Sequence, residues 1–291
     1  MTSQRYTALI ATVSNALDDV VLDYAVNRFN YYKILFWSSF VAFAVQIAAG
    51  FATGFSCPVQ ALPAVAVHAL LILAGYVFFV KGIRHIPVAL AGLIEAGGLF
   101  LTFAIDAAIG YVNATPSFAA LLALFVFSVF LFHKSSLKTG NGSKDIRPVG
   151  IVFVSLQVLC YSSAPYLIKI AAAKGANEIA INGGHYLLAL PFFAWQALRF
   201  RGKSAQPPQK GKLWTDWRFL CLAIGSLEAV AWIFETFSFI NDAPTIVVVI
   251  EQIRIFLLFL LSVLFKTDKF TVKKLLALIL GGLSVAGIYM T

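Results

Sequence analysis

Long apolar runs separated by short polar loops follow one another along almost the whole chain. Runs of about 20 apolar residues are long enough to cross a hydrocarbon core of about 30 Å. We place ten such spans, at residues 6–26, 31–51, 62–80, 87–109, 116–132, 149–173, 179–198, 219–240, 243–265 and 272–289. The pattern therefore predicts an all-α integral membrane protein with ten transmembrane helices and little chain left for an aqueous domain.

Composition supports a membrane protein and excludes several kinds of site. Of the 291 residues, 60% are hydrophobic, and the mean hydropathy is +0.86, which is too apolar for a water-soluble globule. The three cysteines, an odd number at wide spacings, indicate neither a disulfide framework nor a metal site. The first span carries Asp18, Asp19 and Asp23 instead of the apolar core of a cleaved signal. We expect it to be retained, with its carboxylates facing protein, a wet cavity or an interface.

The net charge of +9 comes mainly from loops on one side of the predicted membrane. These loops hold 18 of the 22 Lys and Arg residues, the usual sign of a cytoplasmic face against anionic lipid. We therefore expect membrane lipid and no nucleic acid as a partner, a bacterial inner (cell) membrane location, and both termini outside. The sequence leaves the oligomeric state open.

The two halves of the chain look related. Residues 1–133 hold the first five spans, 134–148 form a polar linker, and 149–291 hold the second five. Pro87 and Pro244 are 157 positions apart, and Glu95 and Glu251 are 156 apart. Because each half has an odd number of spans, the second must be inverted relative to the first. The spacing predicts two inverted five-helix repeats.

Glu95 and Glu251 lie near the middle of the fourth and ninth spans. A carboxylate at this depth is costly unless it faces a cavity or a partner. Twin carboxylates on repeat-related helices would meet near the pseudo-two-fold axis, where transporters built from inverted repeats bind substrate. Both are also candidates for carrying protons across the membrane. For Glu251 an intrahelical ion pair with Arg254, one turn later, is an equal alternative.

The eighth span places Glu228, Trp232 and Glu235 at positions i, i+4 and i+7, so two carboxylates and an indole share one helix face. Such a face suits a cation, because an ammonium can pair with a carboxylate and lie against the ring for about 1–2 kcal/mol when desolvated. The structural alternative is that Glu235 binds polar groups on a neighbouring helix.

The sixth span contains Pro165, beside Tyr166, with Lys169 four residues further on. Proline frees a backbone carbonyl that a cavity can use. Lys169 could meet a substrate carboxylate, which with the glutamates would select a zwitterion such as an amino acid. It could equally reach the headgroup region or pair with a structural acid. His68 and His185 lie in apolar spans and could join a proton relay, but a lone buried histidine is more often a hydrogen-bonded core residue, so we assign neither a role.

The layout of ten spans in two halves, together with the final segment DKFTVKKLLALILGGLSVAGIY at 268–289, resembles the drug/metabolite transporter superfamily, in particular its EamA-like branch. The resemblance implies a secondary transporter that moves a small polar metabolite by alternating access, usually as an exporter. Members of this branch commonly have a proline where this chain has Glu95 and Glu251, and they keep their termini in the cytoplasm.

The candidate substrate-binding residues favour an amine or an amino acid as the small-molecule substrate. These residues are Glu95, Glu228, Trp232, Glu235, Glu251, Tyr166 and Lys169. A carrier of nucleotide-sugars or lipid-linked sugars is the alternative, but it would need several basic groups in the cavity. An intramembrane prenyl- or phosphotransferase would need a second aspartate cluster besides DDVVLD at 18–23, and we find none. We expect no enzyme activity, no cofactor and no metal.

Overall fold

The computed structural model of the protein is built from α-helices. It describes residues 2–26, 29–82, 85–86, 88–137, 147–199, 216–264 and 271–290. Of the described residues, 89% are helical, and none of them lies in a strand. The predicted all-α class is confirmed.

The helices follow the predicted apolar runs closely. A short 3₁₀ turn at Val59–Ala61 precedes the third helix. The α-helices are α1 (Thr2–Val26), α2 (Tyr31–Thr53), α3 (Leu62–Gly82), α4 (Val88–Ile109), α5 (Pro116–Leu137), α6 (Pro148–Ala173), α7 (Glu178–Arg199), α8 (Trp217–Asn241), α9 (Pro244–Glu251), α10 (Ile253–Leu264) and α11 (Val272–Met290).

Most bounds lie within four residues of the prediction, and two differences are larger. The fifth helix continues past residue 132 to Leu137. The ninth span is interrupted at Gln252 and becomes α9 and α10. Pro87, residues 138–146 of the predicted linker and the polar loop at 200–215 lie outside the described residues.

Four helical segments are long and apolar enough to cross a membrane, counting only the described parts of the chain. They are Tyr31–Thr53, Val59–Gly82, Pro148–Ala173 and Trp217–Asn241. These segments agree with the predicted membrane protein, whereas the full set of ten spans in inverted repeats stays a prediction.

The helices form two compact units. Unit 1 comprises Met1–Leu70 and Leu167–Ile240, and unit 2 comprises Leu71–Tyr166 and Asn241–Thr291. This division by contacts differs from the predicted division into sequence halves at residues 133 and 149. It does not bear on whether the halves are repeats, which stays a prediction.

In unit 1, α2 runs alongside α8 in a constant register. The Cys221 thiol lies 3.9 Å from the Ile34 carbonyl oxygen, a β-carbon on Gly225 would lie 2.3 Å from the Ser38 carbonyl oxygen, and Ala42 packs with Ala229. Because all three contacts have the same sequence separation, the two helices are parallel. Small residues at the contact let the backbones approach, as is usual between membrane helices.

Helix α2 also packs against α7, which runs antiparallel to it. Ala42 packs against Tyr186, and a β-carbon on Gly50 would lie 3.3 Å from Ile179 Cγ2. The positions on α7 therefore fall as those on α2 rise. Helix α2 is thus held between α7 and α8.

Unit 2 is organised around an aromatic core. Helix α5 packs against α4 and α11, and α4 packs against α9. Phe103 and Phe118 stack at 5.4 Å, and the Phe256 ring meets Phe125 edge-on at 6.4 Å. Offset and edge-on aromatic pairs add to the stabilisation that burial itself provides.

We expect Gly225→Ala to lower the free energy of unfolding by about 1–3 kcal/mol, because the added methyl group would overlap the fixed Ser38 backbone. Thermal unfolding in detergent, followed by far-ultraviolet circular dichroism, measures the change. The control is Gly183→Ala on α7, where a β-carbon would meet nothing within 4 Å. Equal stability of the two variants would contradict the close packing of α2 on α8.

Candidate functional site

A group of polar and aromatic side chains joins α7 to α8 inside unit 1. On α7 its members lie within about one turn, and on α8 they recur every four residues along one face. We call it the α7–α8 cluster, and it consists of Asn182, His185 and Tyr186 on α7 and Glu228, Trp232 and Thr236 on α8.

Hydrogen bonds hold the cluster together. The Tyr186 hydroxyl lies 3.2 Å from Glu228 Oε1, to which it donates. Asn182 Nδ2 donates to the Trp232 carbonyl oxygen at 3.0 Å, and Asn182 Oδ1 accepts from the Thr236 hydroxyl at 2.9 Å. Asn182, Tyr186 and Thr236 are buried. These bonds satisfy groups that would be costly to leave unpaired in an apolar interior, and they set the spacing of α7 and α8.

His185 covers one face of the Trp232 indole. The two rings stack at 5.3 Å with an interplanar angle of 27°, and His185 also meets the Tyr186 ring at 5.0 Å. The imidazole is buried, and its Nδ1 has no hydrogen-bond partner in the part of the chain that the structure describes. We therefore include His185 in the candidate site and do not treat it only as a packing residue of the core.

Carboxylates dominate the charge around the cluster. Glu228 accepts from Tyr186, and Glu235 follows it by seven residues on the same face of α8. Glu228 is half-buried. Glu235 accepts a hydrogen bond from Asn15 Nδ2 on α1 at 3.4 Å, a contact of the kind that its structural interpretation predicts. The Asp23 side chain lies outside the described residues.

Lys169 lies at the far end of α8 from Glu228. Its Nζ donates to the carbonyl oxygen of Ile240 at 3.4 Å, in the last turn of α8. Ile240 follows Glu228 by twelve residues, or about 18 Å along a helix that rises 1.5 Å per residue. The negative end of the helix dipole also stabilises the positive charge of a lysine in this position. Glu228 and Lys169 are therefore too far apart to bind the two charges of one amino acid.

The remaining predicted site residues belong to unit 2. Glu95 Oε1 accepts a hydrogen bond from Gln157 Nε2 at 2.6 Å. Glu251 is the last residue of α9, and Arg254 lies in the first turn of α10, beyond the interruption at Gln252. Glu251 and Arg254 therefore lie on either side of a one-residue interruption, and an ion pair between them stays a prediction.

Asp106 on α4 is a buried carboxylate that the sequence interpretation did not single out. Its Oδ2 accepts from both the backbone N–H and the hydroxyl of Thr245, each at 2.7 Å. Thr245 is the second residue of α9, after Pro244, so Asp106 caps that helix from a neighbouring one. A carboxylate at a helix N-terminus satisfies an unpaired N–H group and stabilises the helix dipole.

Tyr166 completes this cap. Its hydroxyl lies 2.9 Å from Asp106 Oδ1 and 3.0 Å from the Thr102 carbonyl oxygen, and its one proton can be donated to either. The polar end of Tyr166 is thus engaged in packing α6 against α4. A role in substrate binding stays a prediction.

A pattern in the sequence could have indicated part of the α7–α8 cluster. The segment NGGHY at 182–186 places Asn182, His185 and Tyr186 at helical spacing within an apolar run. By contrast, no local pattern shows that Asp106 meets Thr245, since the two residues are far apart in the chain.

Substitutions at the α9 cap should reduce stability in a defined order. We expect Asp106→Asn to lower the free energy of unfolding by about 1–3 kcal/mol, because two donors from Thr245 lose a charged acceptor. Tyr166→Phe should cost about 1 kcal/mol, since Thr245 still satisfies Asp106. Thermal unfolding in detergent gives both values. If Tyr166→Phe proves the more damaging, the cap is wrongly assigned.

Comparison with known proteins supports the fold alone. No protein-family model matches this sequence, and no curated protein matches it. Twenty-nine chains of solved structures are similar. One of them, a crystal structure described only as that of a protein, superposes with a TM-score of 0.78 at 16% sequence identity, over 99% of this chain and 98% of the other. At this identity the likeness shows that the chain shares the whole fold of that protein.

Proposed function

We propose that the protein is a secondary transporter that moves a small organic amine across the membrane. The observation that carries the proposal is Glu228, a half-buried carboxylate on an apolar helix, held by Tyr186 one turn away from Trp232. An intramembrane ionisable residue of this kind usually marks a substrate or ion pathway.

The charge of the site favours a cationic substrate. A carboxylate in low dielectric is stabilised by an opposite charge, and two carboxylates, Glu228 and Glu235, share one face of α8. The indole of Trp232, four residues after Glu228, offers a π-face to an ammonium group. An amine bound by Glu228 would therefore satisfy both groups.

The position of Lys169 favours an amine over an amino acid. The zwitterion hypothesis requires a cation close enough to Glu228 to meet the carboxylate of the same small molecule. Lys169 instead donates to Ile240, about 18 Å along α8 from Glu228. With Lys169 this far away, Glu228 can bind the ammonium group of a substrate, but Lys169 cannot bind a carboxylate of the same small molecule.

The packing of the helices supports the transporter layout. In two inverted halves of five spans, the second span corresponds to the seventh, the fourth to the ninth and the fifth to the tenth. Within unit 1, α2 packs against α7, and within unit 2, α4 packs against α9 and α5 against α11. Contact between corresponding helices is expected of a pseudo-two-fold arrangement. Alternating access, export and membership of the drug/metabolite superfamily are proposed on this basis and on the resemblance of the sequence.

Glu95 and Glu251 are proposed to couple transport to protons. They occupy corresponding positions on α4 and α9, and these helices pack together in unit 2. Carboxylates within a membrane helix are frequent members of proton relays.

Counterflow in proteoliposomes tests the proposal. We expect exchange of amines but not of amino acids or nucleotide-sugars, and we expect Glu228→Gln to reduce amine exchange by about tenfold or more, because a neutral amide does not pair with an ammonium. The matched control is Glu178→Gln, the same change in the first turn of α7, which should leave exchange unchanged. Nucleotide-sugar exchange that survives Glu228→Gln would overturn the site and the substrate class together.

A further inference from the structure

Gln46 on α2 is a buried amide whose two polar atoms make no hydrogen bond to the described residues. The side chain is 1% exposed, and neither Nε2 nor Oε1 has a partner among the residues that the structure describes. A buried amide costs free energy unless it is hydrogen-bonded. Gln46 therefore invites a functional explanation.

The register of α2 against α8 gives the depth of Gln46 in unit 1. Residues 34, 38 and 42 lie beside residues 221, 225 and 229. Continuing by one turn places Gln46 beside Ile233, next to Trp232. Val45, the residue before Gln46, packs against the same group as Trp232, as this register requires.

The antiparallel contact with α7 gives the same depth. Ala42 lies beside Tyr186 and Gly50 beside Ile179, so Gln46 faces the middle of that interval, at Asn182 and Gly183. The hydrogen bond from Asn182 to the Trp232 carbonyl oxygen shows independently that residue 182 of α7 and residue 232 of α8 lie at the same depth. Gln46 thus lies in the layer of the Trp232 and His185 rings, where His185 Nδ1 is also without a hydrogen bond in the described chain.

We propose that Gln46 is the second contact of the amine site and binds a neutral hydrogen-bonding group of the substrate. This inference rests on the proposed function, in which Glu228 binds the ammonium. Trp232 and Ile233 follow Glu228 by four and five residues, so the layer of Gln46 is about 6–7.5 Å beyond Glu228 along α8. A carboxamide both donates and accepts but carries no charge, so it suits a hydroxyl or an amide better than a carboxylate. The substrate class is an amine with a hydroxyl or amide about 6 Å from its nitrogen.

Two amines of equal length test the contact. Aminobutanol carries an ammonium and a hydroxyl at its two ends, and pentylamine has a methyl group in place of the hydroxyl. We expect the purified full chain in detergent to bind aminobutanol at least about tenfold more tightly by calorimetry. Gln46→Met should abolish the difference and leave pentylamine affinity unchanged. Glu228→Gln, measured in parallel, corrects for partition of the amines into detergent.

Stability provides a second readout that needs no ligand. Gln46→Met should raise the melting temperature of the free protein, because an apolar side chain of similar length replaces an unsatisfied amide. The matched control is Gln157→Met, which also replaces a buried glutamine. The Gln157 amide donates to Glu95, so the loss of this hydrogen bond should lower the melting temperature. Gln46→Asn, which keeps the amide but shortens the side chain, should weaken aminobutanol binding alone.

The outcomes separate this inference from the proposed function. If both amines bind equally and still require Glu228, the proposed Gln46 contact is wrong and the Gln46 amide binds only water. The amine site at Glu228 would still be supported. A lower melting temperature for Gln46→Met with unchanged selectivity would likewise make Gln46 a packing residue. If neither amine binds, or if binding survives Glu228→Gln, the proposed function fails and this inference fails with it.

Discussion

A carboxylate inside an apolar helix must find its hydrogen-bond donors within the protein, because the surrounding hydrocarbon offers none. The two units meet this constraint differently. Asp106 in unit 2 is fully buried and accepts hydrogen bonds from Thr245 and Tyr166. Its carboxylate therefore stabilises the start of α9. Glu228 in unit 1 is half-buried, and the donor that the structure shows for it is the Tyr186 hydroxyl. The first arrangement suits a structural acid, and the second leaves acceptor capacity for a ligand.

Close helix packing determines what surrounds Glu228. Gly225 and the pair Ala42 and Ala229 let α2 approach α8 closely, and that approach brings Gln46 to the level of Trp232. A bulkier residue at these contacts would move the whole α2 face away from the cluster. The small residues and the polar ones therefore act together, since the former bring the helices together and the latter specify what the resulting site can bind.

The position of one cation changes the substrate that the site suggests. From the sequence, Lys169 and the glutamates together fit a zwitterion. In the structure Lys169 binds the last turn of α8 at Ile240, where the exposed carbonyl end of the helix attracts a positive charge. An ammonium without a neighbouring carboxylate then becomes the substrate group that the α7–α8 cluster fits best.

The sequence by itself determined the helical class, the positions of the helices and the shared face of Glu228, Trp232 and Glu235. These features depend on apolar run length and on the period of the helix, which are local properties. Only the tertiary structure decided that Asp106 caps α9, that Lys169 lies far along α8 from Glu228, and that Gln46 shares a layer with His185 and Trp232. Each of these depends on which distant helices meet and in what register, and packing between side chains far apart in the chain sets that register.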